Sequence, residues 1–489
     1  MKFYQSTRGG ARATAPEAIL QGIAPDGGLF TPEAFPRLDI EKMLPLDAMG
    51  ISTAVLSALL DGFSEAEMAR IVREGYAGKF ESDELTPLVK VGGAHILELF
   101  HGPTSAFKDV ALSLLPRLMT ASRDKVGAKE EIAVLTATSG DTGKAALEGF
   151  CDVPGTRIVV FYPEDGVSDV QKAQMRTQRG QNVRVCAVRG NFDDAQTGVK
   201  TVFADDRKNG WAAQANTRLS SANSINLGRL APQVAYYFKA YIDLLRAGEI
   251  AMGDEVNFVV PTGNFGNILA GDFARRMGLP VAKLICASNE NNVLTDFIRT
   301  GVYDRRRAFH KTASPSMDIL VSSNLERYLY LESGRDASLV ASLMAELSEK
   351  GVYTAPGNVR AALDARFWAG CANDAAAFAA IKRVWEEQGY LLDTHTAVAW
   401  AVYEQFRAGA DNGKKTVVLA TASPYKFAAS VLTALGENPA GGFAALDELH
   451  ARTGVPVPKN LAAIRDLPVL HTDAVEKGDI LAYVKETIR

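Results

Sequence analysis

The stretch Ile132-Ala133-Val134-Leu135-Thr136-Ala137-Thr138-Ser139-Gly140-Asp141-Thr142-Gly143-Lys144 decides the fold. Ile132 to Thr136 is apolar with β-branched members, the composition of a strand buried on both faces. Glycines then interrupt the run, and Lys144 to Phe150 has helical composition and spacing. Strand, glycine loop, helix is the layout of an anion cup. Glycine lets backbone N–H groups approach a ligand closely, and the helix N-terminus adds partial positive charge. A second unit of this kind runs from Val256 to Val260, through Pro261-Thr262-Gly263-Asn264-Phe265-Gly266-Asn267, into a helix over Ile268 to Met277.

Working outward, Arg157 to Phe161 and Val183 to Val188 read as strands, with helices starting near Thr142, Ser168 and Phe192. Val281 to Ala287 and Thr416 to Ala420 read as strands of a second set. Short strands alternating with amphipathic helices require parallel sheets covered on both faces, so the expected class is α/β with two lobes and a cleft between them. Ser64 with Glu67, and Ser168 with Gln171, form capping-box patterns ahead of helices. The expected divisions are an N-terminal domain over 1–85, a catalytic body over 86–435 and a peripheral tail over 436–489 that ends in a helix from Ala474. Within the body, a smaller lobe covers about 130–215 and a helical insertion about 338–390, broken at Pro356-Gly357.

At 489 residues the chain exceeds one compact core, and its formal net charge of -4 carries no footprint for nucleic acid. Cys151, Cys186, Cys286 and Cys371 lie far apart, against a structural zinc site and for a reducing compartment. Neither a leader-like apolar segment nor a membrane-length run is present, so the expected location is cytoplasmic, with no membrane partner. Gly143-Lys144 brushes the P-loop pattern, but Ala145 replaces its required hydroxyl, and Thr138 its first glycine. No Gly-x-Gly-x-x-Gly follows a strand, which argues against a dinucleotide-dependent dehydrogenase.

Upstream of the cups lies Phe100-His101-Gly102-Pro103-Thr104-Ser105-Ala106-Phe107-Lys108-Asp109. Phe107, Ala106 and Val110 give Lys108 a tight apolar setting, which lowers an amine's pKa and makes it nucleophilic toward an aldehyde. One such lysine and two anion cups suggest a cofactor phosphate and a substrate anion.

This constellation resembles the fold-type II pyridoxal-phosphate enzymes, and within them the long-form threonine synthase family, in motif order from about Gly27 to Phe427. The resemblance is carried by His101 to Asp109, Ala137 to Gly143, Asn223-Ser224-Ile225-Asn226 with Arg229, and Pro261 to Gly271. Ser314-Pro315-Ser316-Met317-Asp318-Ile319-Leu320 with Ser322-Ser323-Asn324 adds a fifth signature, which shorter family members lack.

The resemblance implies pyridoxal 5'-phosphate held on Lys108, which then serves as the catalytic base. Gly263, Asn264, Phe265, Gly266 and Asn267 are expected around the cofactor phosphate, and Thr421 at its ring nitrogen. Ser139, Gly140, Asp141 and Thr142 are expected at the substrate α-carboxylate. Asp141 is awkward there, because like charges repel, and facing the ring or a lysine suits it better. Asn223, Ser224, Asn226 and Arg229 are expected at a substrate phosphate, for which guanidinium and amide donors are suited. No metal ligand is expected. The implied reaction turns O-phospho-L-homoserine and water into L-threonine and phosphate, by a monomer or a dimer. A related lyase giving a keto acid, such as a dehydratase or phospholyase, is the alternative, and a non-catalytic binding protein on the same scaffold is a further one.

Overall fold

Both glycine loops stand at the C-terminal ends of parallel strands. The structure, a computed structural model, describes residues 2–138, 140–165 and 167–488. Glu131–Ala137 belongs to a five-stranded parallel sheet ordered Asp473–Glu476, Val183–Arg189, Thr156–Pro163, Glu131–Ala137, Thr217–Ser220. Ile158, Val159, Val160 and Phe161 are fully buried because helices cover both faces. The helix Asp141–Phe150 follows Gly140, whose φ of +146° suits glycine; a Cβ there would lie 2.5 Å from Gln171 Nε2.

The larger lobe carries a six-stranded sheet ordered Phe367–Cys371, Val281–Ser288, Val256–Pro261, Thr416–Ala420, Ala94–Glu98, Leu88–Val91. All its neighbours run parallel except the Leu88–Val91 hairpin strand, which is antiparallel to Ala94–Glu98. The long helix Leu227–Arg246 is almost wholly buried, packed chiefly against the helices Gly266–Arg276, Ala48–Leu59 and Lys108–Leu112. N-terminal to these lobes, a three-stranded antiparallel sheet of Arg12–Ala13, Tyr4–Ser6 and Phe30–Pro32 precedes the helices Ala48–Leu59 and Glu65–Tyr76. Ser64 and Glu67 make the full capping box that the sequence predicts. Tyr76, at the end of that helix, donates its hydroxyl to Val110 O at 2.8 Å, tying this unit to the lysine helix.

Three expectations are corrected. The segment read as a helical insertion also holds the strand Val352–Thr354 and the strand Phe367–Cys371, which forms one edge of the large sheet. The tail is not peripheral: Asp473–Glu476, read as the start of a helix, is the edge strand of the small sheet, and the helix Ile480–Ile488 follows it. Ser168 caps its helix through Gln171 N, but Gln171 turns its amide toward Asp141 rather than back to close the box.

Candidate active site

The lysine loop is stitched to the end of a central strand. Phe107 N donates to Thr421 O at 2.8 Å and Ser423 N to Ser105 O at 3.0 Å, which brings Lys108 and Thr421 together just beyond Thr416–Ala420. Asp109 closes the loop from below, accepting from Thr104 N at 2.9 Å and Thr104 Oγ1 at 2.5 Å. Ser105 takes a left-handed φ of +58°, and its hydroxyl bonds Asn460 Oδ1 at 3.0 Å, so a residue of the tail braces a strained turn.

Lys108 opens the helix Lys108–Leu112 and is 7% exposed. Its Nζ donates to Ser316 Oγ at 3.2 Å and stands 3.6 Å from Asp141 Oδ2. Burial pushes its pKa below the ordinary lysine value; Asp141 opposes this, while Arg229 and Lys426 push further down. An amine in this setting is a ready nucleophile and base.

The Asp141 side chain faces lysines, the setting that suits a carboxylate better than a substrate anion, and only its backbone N–H is left to face such an anion. Its Oδ1 accepts from Lys426 Nζ at 2.9 Å and from Gln171 Nε2 at 2.9 Å. Burial alone would raise its pKa, but the attraction of Lys426 and then Lys108 outweighs burial and holds the carboxyl far below the usual range. Around it, Thr138 Oγ1 accepts from Gly140 N at 3.0 Å and Gly143 N at 2.9 Å, fixing the loop. The first-turn N–H groups of Asp141 and Thr142 have no intrahelical acceptor and remain for an anion. Ser139 lies outside the described residues.

The second cup is the turn from Pro261 into the helix Gly266–Arg276. Phe265 has a left-handed φ of +60°, paired with a buried ring that packs on Tyr328 and Phe367. Strain at a non-glycine residue persists only where surrounding contacts enforce it. Asn324 supplies one of these contacts, donating from N and from Nδ2 to Asn264 O at 3.1 Å each; Asn264 itself is exposed. Arg327, fully buried, in turn holds Asn324 Oδ1 at 2.5 Å and Ile225 O at 2.5 Å. Asn267 Oδ1 accepts from Tyr236 at 2.6 Å and Tyr237 at 2.9 Å. Its Nδ2 is buried with no partner among the described residues. A buried donor without an acceptor costs about 1–3 kcal/mol, and a bound phosphate at this helix N-terminus would remove that cost. With the glycine turn and Lys108, this donor fits a pyridine aldehyde phosphate.

The Asn223 to Arg229 segment adjoins this cup. Ser224 Oγ accepts from Asn324 Nδ2 at 3.0 Å, and a Cβ on Gly266 would lie 3.4 Å from Ser224 Cβ. Arg229, 6% exposed, donates to Ala222 O at 2.5 Å; burial alone draws its pKa down to about 10, so it stays charged at neutral pH with no carboxylate partner among the described residues. Asn223 is exposed at the mouth of the turn. Asn226 is corrected: it caps the helix Leu227–Arg246 through Gly228 N at 2.8 Å and donates to Ile19 O at 2.9 Å, a structural commitment at both ends of its amide.

One site residue, Lys426, escaped the sequence reading, and the sequence leaves the roles of His395 and His101 open. Lys426 is buried and reaches Asp141; its setting between Tyr425 and Phe427 repeats the aromatic flank that singled out Lys108. His395 Nε2 accepts from Ser316 N at 3.1 Å, which leaves the proton on Nδ1, facing Asp393 Oδ1 at 3.1 Å. The Ser316 segment that holds the Lys108 amine is thereby clamped from behind. His101 instead bonds Glu98 at 2.7 Å, outside this cluster.

A buried lysine facing two glycine cups at the carboxyl ends of parallel strands defines a pyridoxal-phosphate-dependent enzyme, and the family model "Pyridoxal-phosphate dependent enzyme" matches residues 80–367. Models for the threonine synthase N terminus and C-terminal region match residues 3–76 and 396–475. The chain belongs to the threonine synthase family, and its cofactor is pyridoxal 5'-phosphate. It is 39% identical to the threonine synthase of Pseudomonas aeruginosa over 94% of this chain and 97% of that one. Threonine synthase-like 1 of Pongo abelii is 40% identical over 86% of this chain, which spans 58% of that longer relative. The crystal structure of pyridoxal-phosphate-bound threonine synthase from Brucella melitensis superposes with a TM-score of 0.89 at 37% identity, covering 100% of both chains.

Proposed function

We propose that this chain converts O-phospho-L-homoserine and water into L-threonine and inorganic phosphate. The observation that carries the reading is Arg229: a buried guanidinium with no carboxylate partner among the described residues, close enough to act on the Lys108 amine and anchored to Ala222 O in the segment whose Ser224 meets the Gly263–Asn267 cup. Such a charge suits a phosphate that leaves the substrate.

In this reading the Gly263 to Asn267 turn and Asn267 Nδ2 would hold the cofactor phosphate, and Thr421 would offer its hydroxyl to the ring. When bound, the cofactor supplies an electron sink for charge that develops at the substrate Cα. A hydroxyl does not protonate a ring nitrogen as a carboxylate would, so Thr421 moderates that sink. Gly140 to Thr142, with Ser139, receive the α-carboxylate at a helix N-terminus. Lys108 Nζ takes the Cα proton and returns protons along the carbon chain. Arg229, Ser224 and Asn223 stabilise the departing phosphate. Water reaches Cβ only after phosphate has left, since earlier entry would divert the reaction.

Among the described residues no helix is long and apolar enough to cross a membrane. The four cysteines are free thiols, which supports a reducing, cytoplasmic setting.

The test is to incubate the cofactor-loaded protein with O-phospho-L-homoserine and quantify threonine, 2-oxobutanoate and phosphate together. Threonine equal to phosphate is expected. Phosphate accompanied mainly by 2-oxobutanoate would overturn the synthase reading in favour of a phospholyase.

A further inference from the structure

Lys426 has no part in the reaction as described, yet it is the most completely enclosed amine in the site, its side chain 0% exposed. Its Nζ has fixed partners: Thr104 O at 2.8 Å, Asp141 Oδ1 at 2.9 Å and Gln174 Oε1 at 3.5 Å. Lys108 shares the same carboxylate, through the other oxygen and at the longer distance of 3.6 Å. Two buried amines therefore compete for one Asp141.

We propose that Lys426 is a positioning residue for the cofactor lysine, occupying Asp141 so that the Lys108 nitrogen stays unprotonated. Were both amines protonated, the cluster would carry an unneutralised buried charge, with Arg229 adding to it. Such a charge is costly to bury, and the proton leaves the amine with the weaker fixed partners. By geometry that amine is Lys108. Without Lys426, Asp141 would turn its whole charge on Lys108 and hold it as an ammonium.

Asp109 and His395 border the pair, Asp109 coupled to Lys426 and His395 to Asp141, while the closest charge–charge contacts are those of Asp141 with the two lysines. Arg229, on the helix Leu227–Arg246, only adds positive potential. Asp109, engaged by Thr104 and Ala106, has its pKa raised by burial to about 6 and feels Lys426; His395 Nε2 accepts from Ser316 N, and Asp318 is held by Asn289, Asn291 and Thr312. Gln171 and Gln174 are uncharged.

The inference rests on Lys108 as the cofactor-bearing residue. The readout is the visible absorption of the cofactor-loaded full chain, titrated between about pH 5 and pH 10 without substrate, since that band follows the protonation of the nitrogen joined to the cofactor. Lys426→Gln is expected to raise the midpoint by about one pH unit or more, the size of shift that one charge within about 4–6 Å produces. Lys426→Arg, which keeps the charge, is expected to stay near the wild-type midpoint. In an Asp141→Asn background the glutamine substitution should move the midpoint by less than about a third as much, because the competition is gone. Should Lys426→Gln alone fail to fold, Lys426→Gln/Asp141→Asn against Asp141→Asn decides: a shift there as large as about one unit overturns the proposal. An unmoved or flat profile in Lys426→Gln overturns it as well. A band that persists in Lys108→Ala would instead overturn the Lys108 reading, a separate failure.

Discussion

The backbone carbonyl of Ser316 closes over Gly263: a Cβ at position 263 would lie 2.7 Å from that oxygen. The cofactor turn and the Ser314–Leu320 signature thus meet with no room for a side chain, and Ser322 Oγ fastens the contact at 2.9 Å to Gly263 O. Gly263→Ala must push the two segments apart. Overpacking of this kind costs about 1–3 kcal/mol, so the dissociation constant for pyridoxal 5'-phosphate should rise about 5- to 100-fold. Titration of the cofactor into stripped protein, followed by absorbance, checks this; an unchanged constant would remove the Gly263 turn from the cofactor site.

Asn267 offers a cleaner probe of the same cup. Asn267→Asp keeps an oxygen for Tyr236 and Tyr237 but exchanges the unpartnered Nδ2 for a carboxylate oxygen. Losing a hydrogen bond to a charged group costs about 1.5–3 kcal/mol, and repulsion adds to it. Cofactor affinity should therefore fall at least about 10-fold, with little change in far-ultraviolet circular dichroism. Wild-type affinity in this variant would place the phosphate elsewhere.

Arg229→Lys retains positive charge but loses the planar fork that grips phosphate. kcat/KM for O-phospho-L-homoserine should drop about 10- to 100-fold, the equivalent of roughly 1.4–2.7 kcal/mol. Inhibition by added inorganic phosphate should weaken in parallel, while the visible spectrum of the cofactor is retained. Undiminished inhibition by phosphate would show that the anion is held by other donors.

Asn460→Ala tests the brace from the tail. It releases Ser105, whose φ of +58° carries strain, by removing both Asn460 Oδ1 at 3.0 Å and Nδ2 at 2.9 Å. Since the lysine loop is also stitched to Thr421, the expected effect is modest: about a 3- to 10-fold loss in kcat, the scale of one or two neutral hydrogen bonds. Steady-state kinetics at saturating substrate would register it, and an unaltered kcat would reduce the contact to packing.

The strand and glycine-loop units were legible because their signals are local: Ile132 to Thr136 and Val256 to Val260 carry their own periodicity, and the glycines that follow mark the turns. Phe367–Cys371 and Asp473–Glu476 were not, since short edge strands declare themselves only when a neighbour is present to pair with. Among site residues, Lys108 and the Gly263 turn were visible in sequence, and Asp141 was already marked as ill-suited to a carboxylate. Asn226 misled because an asparagine at a helix start serves equally well as cap or ligand, and only Ile19 and Gly228 distinguish the two. Lys426 was invisible because a lysine's burial is decided by what folds over it, here Thr104 and Asp141 from remote parts of the chain.

The strand order of the large sheet also governs how the chain emerges during synthesis. Ala94–Glu98 and Val256–Pro261 are not neighbours; Thr416–Ala420 lies between them. A nascent chain that has exposed both earlier strands still lacks the segment that joins them, and the small sheet waits longer, for Asp473–Glu476. On the ribosome the cofactor pocket therefore has no closed floor until Thr416–Ala420 has emerged, and that interval is when unpaired strand edges are open to a chaperone or to a wrong neighbour.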